Sequence, residues 1–164
     1  MYYQLVDKIW HLVALVRIVF HNIVSGGRIR ISLSVMFRRR FEISVWSGGR
    51  ISIGKRVFFN QGCSVVSRGA SITIGDGTVF GENVKIYDHN HQYKNVSRPV
   101  GEQGYTSAAV RIGKSCWIGS NVAILKGVTV GDHSVIGAGC IIHKDVPPNT
   151  VVVNRQELVM RHFA

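Results

Sequence analysis

The sequence predicts an all-β chain: a parallel β-helix of six-residue repeats, preceded by an amphipathic α-helix and broken by one long loop. Three observations carry this reading. Across residues 111–147, Ile112, Ile118, Ile124, Val130, Ile136 and Ile142 recur every six residues without a break. Four residues after each stands a small or β-branched residue: Cys116, Val122, Val128, Ser134, Cys140 and Val146. Gly113, Gly119, Gly131 and Gly137 directly follow four of the six aliphatic positions. A period of six is neither a helix at 3.6 nor a strand at 2. It is the mark of short strands wound into stacked rungs. The aliphatic position points inward, and the glycine position tolerates close backbone approach or a positive φ at a corner.

Residues 1–25 form the first element. Leu5, Ile9, Leu12, Val16, Val19 and Ile23 step by four and three and make one helical stripe. Lys8, His11, Arg17 and His21 interrupt the apolar run, so no stretch reaches the ~18 uninterrupted apolar residues of a spanning helix. A basic start typical of a secretory signal is absent from MYYQLVD. Two readings stay open. The helix packs against the open end of the coil or a neighbouring subunit, or it is an interfacial membrane anchor, aided by Lys8, Arg17 and Arg38–Arg40.

Residues 26–154 form the coil. In 28–52, Ile29, Ile31, Leu33 and Val35, then Phe41, Ile43 and Val45, alternate with polar residues. They read as strands around a basic turn, an irregular first rung that caps one end. The repeat proper starts at Ile53, Phe59 and Val65; SRGAS shifts it by three; it resumes at Ile74, Phe80 and Ile86. Val57, Cys63, Thr78 and Val84 fill the small slot. Between Ile86 and Ile112 the register is lost for 26 residues. That polar segment, centred on 88–109, is where a regular scaffold places function. Repetition stops at Pro147–Pro148, and a last strand, Thr150–Val153, leads into a tail, 155–164, in which Leu158, Met160 and Phe163 set no period.

The 164 residues suffice for one core, and 18% charged residues with three prolines argue against disorder. A net charge of +11 points to an anionic partner. No nucleic-acid-binding motif interleaves bases and aromatics, so that partner class is set aside. Cys63, Cys116 and Cys140 all occupy the small slot and read as buried thiols, with neither disulfide nor zinc spacing. A reducing cytoplasm is the simplest compartment.

The loop opens with Asp88-His89-Asn90-His91. Neutral imidazole, with a pKa near ~6.5, accepts a hydroxyl proton at working pH. Asp88 or a backbone carbonyl would fix the other ring nitrogen. Two histidines at i and i+2 also suit a metal, although a catalytic zinc needs a third protein ligand. From these residues alone, a base, a metal pair and ordinary loop histidines all remain open.

The hexapeptide repeat, the loop opening DHNH and the run CWIGSNVAILKGVTVGDHSVIGAGCIIHKDVPPN together resemble the hexapeptide-repeat acyltransferases, above all the galactoside, maltose and polysaccharide O-acetyltransferases. The resemblance spans residues 50–153. It implies a left-handed β-helix of triangular section, a homotrimer, and acetyl-CoA bound between subunits. It carries the catalytic histidine to His89, with His91 as the fallback, and the acceptor-binding asparagine to Asn60 in FFNQGC. Asp88 joins the acceptor side. Ser120 in WIGSN corresponds to a backbone amide near the thioester, Ala138 in GAGC to a contact with the pantetheine arm, and Lys144 in HKDVPP to a basic group near the CoA phosphates. Trp117 takes the usual aromatic position, lining the cofactor cleft or packing. No resident metal is implied. The family's Gly-x-Pro-Ala segment is replaced by Val153-Asn154-Arg155-Gln156, so Arg155 or Arg161 would stand at the outer end of the cofactor site. His143 replaces a threonine before Lys144, and His133 falls on a corner.

The resemblance therefore implies an acetyl-CoA-dependent O-acetyltransferase acting on a sugar hydroxyl; the cysteines favour the cytoplasm, and the basic N-terminal region favours an acceptor in a cell-surface polysaccharide or its precursor, met at the inner membrane face through residues 2–24. The rival expectations are a carbonic-anhydrase-like metalloenzyme on the same coil and a non-catalytic scaffold.

Overall fold

The computed structural model describes residues 2–155 and 160–161, and side chains from residue 11 onward. Most of the expected tail, including Leu158, His162 and Phe163, lies outside the described residues.

A helix, α1 (Tyr2–Val24), leads into five complete coils and part of a sixth. The first coil holds β1 (Ile29–Ile31), β2 (Met36–Phe37) and β3 (Glu42–Trp46). The second holds β4 (Arg50–Ile53), β5 (Phe58–Phe59) and β6 (Ser64–Arg68), and the third β7 (Ser71–Ile74), β8 (Val79–Phe80) and β9 (Lys85–Tyr87). A hairpin of β10 (His89–His91) and β11 (Tyr105–Ser107) follows. The fourth coil is β12 (Val110–Ile112), β13 (Trp117–Ile118) and β14 (Ala123–Ile124). The fifth is β15 (Thr129–Val130), β16 (Val135–Ile136) and β17 (Ile141–Ile142), and β18 (Val151–Val152) closes the stack. The strands stack in parallel into three faces: face A (β1-β4-β7-β12-β15), face B (β2-β5-β8-β13-β16-β18) and face C (β3-β6-β9-β14-β17).

The aliphatic positions are the core. Ile72, Ile86, Ile118, Ile124 and Ile136 are fully shielded from solvent, and each such side chain contributes ~1.5–3 kcal/mol by burial. All three cysteines are buried free thiols, and burial raises the pKa of Cys63 and Cys116. A stack of rings fills the opening coils: Phe37 on Phe41 at 4.7 Å, Phe41 on Phe59 at 4.7 Å, and Phe59 on Phe80 at 4.5 Å. The glycine slot serves close approach and not positive φ: a Cβ on Gly75 would sit 2.6 Å from the Gly113 carbonyl carbon. Positive φ falls two residues later, at Ser115, Asn121 and His133.

Residues 28–46 depart from the expected irregular rung. Ile31, Phe37 and Ile43 point inward at intervals of six, and Leu33 is 64% exposed. The repeat therefore starts one coil earlier, under an alternation that conceals it. Ile31, Ile53, Ile74, Ile112 and Val130 stand in register, which makes the coils 22, 21, 38 and 18 residues long. Every excess over eighteen falls at one corner, between faces C and A, and the longest is the 88–109 loop.

The helix packs on the open end of the coil, with most of its described stripe turned outward. It docks on the first coil through Ala14 and Ile18, while Leu12, Val16, Val19 and Ile23 of the stripe are exposed. Arg17 and Asn22 face the coil. The Arg17 guanidinium donates to the Phe41 carbonyl at 2.7 Å, and Asn22 pairs with both backbone groups of Ile31.

Candidate active site

The C–A corner gathers the chemistry. The chain leaves face C at Tyr87, and Asp88 turns inward at the start of the loop. Its carboxylate is fully buried. Oδ2 accepts from the Ser67 hydroxyl at 2.6 Å and the Ala70 N–H at 3.1 Å; Oδ1 accepts from the Arg68 N–H at 2.6 Å. Oδ1 also lies 3.0 Å from His89 Nδ1. A carboxylate only accepts, so Nδ1–H is the donor, and in the neutral ring Nε2 keeps its lone pair. Of the two roles expected for Asp88, the contacts fit the fixing of the ring nitrogen, and both oxygens are engaged inside the chain.

The ring of His89, 15% exposed, meets the edge of Tyr105 at 5.4 Å and of Tyr87 at 6.0 Å. The Arg68 guanidinium covers the Tyr105 ring at 4.1 Å and reaches toward Trp46 at 5.5 Å. Ser107 donates to the Arg68 carbonyl and ties β11 to the coil below. His91 is exposed and packs on Tyr105 at 4.3 Å. A pocket of about 670 Å³ opens beyond it, lined among others by His91, Tyr93, Lys94, Arg98 and Lys126. Three elements thus position His89: the coil-2 corner below it, the antiparallel partner β11 beside it, and its own buried neighbour. Ser67, Arg68 and Tyr105 were not singled out in the sequence. The three-residue shift at SRGAS marks the corner that holds the first two as irregular, but nothing in it says that this corner meets Asp88.

The remaining site residues lie on another edge. Asn60, Ser120 and Ala138 stand at the B–C corner of the second, fourth and fifth coils, and Trp117 sits on face B just before it, 59% exposed. At this corner the N–H of Gln61 is capped by Asn60 Oδ1 at 2.9 Å and that of Glu82 by Ser120 Oγ at 3.1 Å. Among the described residues the amides of Ser120 and Ala138 have no such cap, which leaves two donors one coil apart. Lys144, beside exposed His143, is on the C–A corner two coils beyond His89. One chain therefore brings together His89, Asp88 and Lys144 on one edge, and Asn60, Trp117, Ser120 and Ala138 on the next, with face C between them. His133 is an exposed corner residue at φ 59°. Among the described residues no three His, Cys, Asp or Glu side chains converge as a metal-binding group. Arg155 and Arg161 are exposed.

Comparison with known proteins identifies the repeat and the coil. The family profile described as bacterial transferase hexapeptide (six repeats) matches residues 109–144. The galactoside O-acetyltransferase of Escherichia coli K12 is 41% identical over 116 residues, which are 71% of this chain and 56% of that protein. The chain thus spans about half the length of the curated relatives it matches. Among solved structures, a maltose O-acetyltransferase from Clostridium difficile 630 superposes with a TM-score of 0.60 at 30% identity, over 79% of this chain and 67% of that one. A hexapeptide-repeat acetyltransferase from Vibrio cholerae, complexed with acetyl-CoA, gives 0.62 at 30% identity over 74% and 66%. The unbroken repeat, the coil it builds and these relatives lead to one statement: the chain belongs to the hexapeptide-repeat acyltransferase family.

Proposed function

We propose that this protein is an acetyl-CoA-dependent O-acetyltransferase acting on a sugar hydroxyl, with His89 as the general base. The observation that carries the reading is the Asp88–His89 pair: a buried carboxylate holds Nδ1–H, and Nε2 is left to accept a proton. In the reaction, Nε2 takes the proton of the acceptor hydroxyl as that oxygen forms a bond to the thioester carbonyl carbon. The tetrahedral oxyanion is met by the uncapped amide of Ser120. Collapse breaks the carbon–sulfur bond, and the imidazolium returns its proton to the departing thiolate of CoA. No covalent enzyme intermediate is needed, in keeping with three cysteines buried in the core.

Because His89 and the Ser120–Ala138 amides occupy different edges, the complete site is read as lying between two subunits of a homotrimer. The row of side chains pointing out of face B supports assembly: Met36, Phe58, Val79, Trp117, Val135 and Val151 are in register and all apolar. On face A the corresponding row is Arg30, Ser52, Thr73, Arg111 and Thr129. CoA would follow Ser120 and Ala138, with Lys144 near its phosphates and Trp117 beside its arm. Asn60 keeps its amide NH₂ for the acceptor. The pocket beyond His91, with its amides and three cations, is of a size and character to hold a sugar. A cell-surface polysaccharide or its precursor fits such an acceptor, and the compartment proposed is the cytoplasm, beside the inner face of the membrane. A zinc-hydrase reading would need a third ligand to join His89 and His91 from elsewhere.

The test is acetylation of an oligosaccharide panel with labelled acetyl-CoA, read by mass spectrometry. Transfer to a sugar oxygen supports the reading. Failure of acetyl-CoA to bind or shift the melting temperature refutes it.

A further inference from the structure

The outward face of α1 is built the wrong way round for a helix in water. A surface helix of a globular protein turns its apolar stripe to the core and its polar residues to solvent. Here Arg17, Asn22 and Ser25 are spent on the first coil: Arg17 on the Phe41 carbonyl and over the Phe37 ring at 4.9 Å, Asn22 on Ile31, and Ser25 on the Ile29 N–H at 3.0 Å. The solvent side carries Leu12 (63% exposed), Val16 (61%), Phe20 (58%), Ile23 (72%) and Val24 (63%), with Val19 between them. No charged side chain interrupts this face from residue 12 to residue 24. An apolar patch of this extent marks a surface that something covers.

The charge around it says what. Residues 1–56 hold ten of the chain's twenty Lys and Arg but only two of its nine Asp and Glu, Asp7 and Glu42. Arg28, Arg30, Arg38 and Arg40 are exposed on the same first coil that the helix caps. A second copy docked on this face would bring two strongly basic ends together. An anionic surface would be attracted instead. Among the described residues no helix is long and apolar enough to cross a membrane. We infer that α1 lies in the plane of an anionic lipid bilayer, its Leu12–Val16–Val19–Ile23 stripe immersed among acyl chains and the arginines of the first coil against the headgroups. The inference stands on the helix and the charge alone and does not depend on acetyl transfer.

Flotation of the full chain with vesicles tests it. Vesicles of phosphatidylcholine containing roughly one-third phosphatidylglycerol should bind the protein, and vesicles of pure phosphatidylcholine should bind it at least about ten-fold less. The double variant Val16→Glu/Ile23→Glu alters only exposed side chains; it should melt with the parent and lose binding by about ten-fold or more. Should that variant misfold, Arg38→Gln/Arg40→Gln provides a second measure, weakening binding about five-fold per arginine and flattening its salt dependence. Three results overturn the inference: no binding of the parent to anionic vesicles, equal binding by the folded glutamate variant, or a fall in oligomer mass with that variant while the parent ignores lipid. The last outcome would mean that another protein chain covers the face.

Discussion

Asp88→Asn separates the buried carboxylate from the histidine it holds with no change of shape. Asp88 accepts from Ser67 Oγ at 2.6 Å, Arg68 N at 2.6 Å and Ala70 N at 3.1 Å, and holds His89 Nδ1 at 3.0 Å. In asparagine one oxygen becomes an NH₂. If the NH₂ replaces Oδ2, it confronts the Ala70 N–H, donor against donor. If it replaces Oδ1, it confronts the Arg68 N–H and must donate to Nδ1, which transfers the ring proton to Nε2 and abolishes the base. Either orientation leaves a buried donor unsatisfied, at ~1–3 kcal/mol, and a chain of this size loses ~2–4 °C of melting temperature per kcal/mol. Removing a general base costs ~10²–10⁴ in rate. Acceptor-dependent release of CoA thiol is the assay. The kcat should fall by about 100-fold or more, with the KM for acetyl-CoA unchanged. If Asp88→Asn keeps its kcat, Oδ1 still holds Nδ1–H; a folded Asp88→Ala variant, which leaves Nδ1 no acceptor, that also keeps kcat within about two-fold of the parent would refute the orienting role of Asp88.

Phe59→Ala removes the middle of the ring stack between Phe41 and Phe80 and should cost ~3–5 kcal/mol, read by denaturant unfolding. His89→Ala and Ala138→Trp should each be inactive alone; mixed in equal amounts and reassembled, they should regain about one quarter of the parental activity if each site takes His89 from one subunit and the Ala138 edge from its neighbour. No recovery would place the site within one chain. His21 is held below its usual 6.5 by burial and then by the charge of Arg17. The unfolded chain therefore binds the proton first, so stability at the helix is full above about pH 6.5 and falls as the pH drops below it. His21→Gln should remove that fall in a melting series; an unchanged slope would mean another group is responsible.

The coil was legible because the core enforces a period. Each inward aliphatic from Ile53 to Ile142 is buried where its spacing put it. The six-residue period of the first coil is concealed because Leu33 and Val45 complete an alternation around Ile31 and Ile43, and alternation also describes an exposed strand. The helix kept two readings open for a similar reason. Its stripe is real, but periodicity does not say which side of a stripe meets protein, and here Arg17 and Asn22 take that side. At the site, DHNH was visible as chemistry, whereas Ser67 and Tyr105 were not. Their contacts with Asp88 and His89 arise from stacking the coil-2 corner under the loop and from pairing β10 with β11, neither of which leaves a local pattern. The separation of His89 from Ser120 and Ala138 is likewise a property of corner order, not of any motif.

The most direct test of the account is acetyl transfer by His89→Ala set beside His91→Ala, each checked for intact melting and for acetyl-CoA binding. With His89 as the base, His89→Ala should lose ~10²-fold or more in kcat with acetyl-CoA affinity retained, and His91→Ala should keep most of its rate. Full activity in the folded His89→Ala protein, or loss confined to His91→Ala, would contradict it.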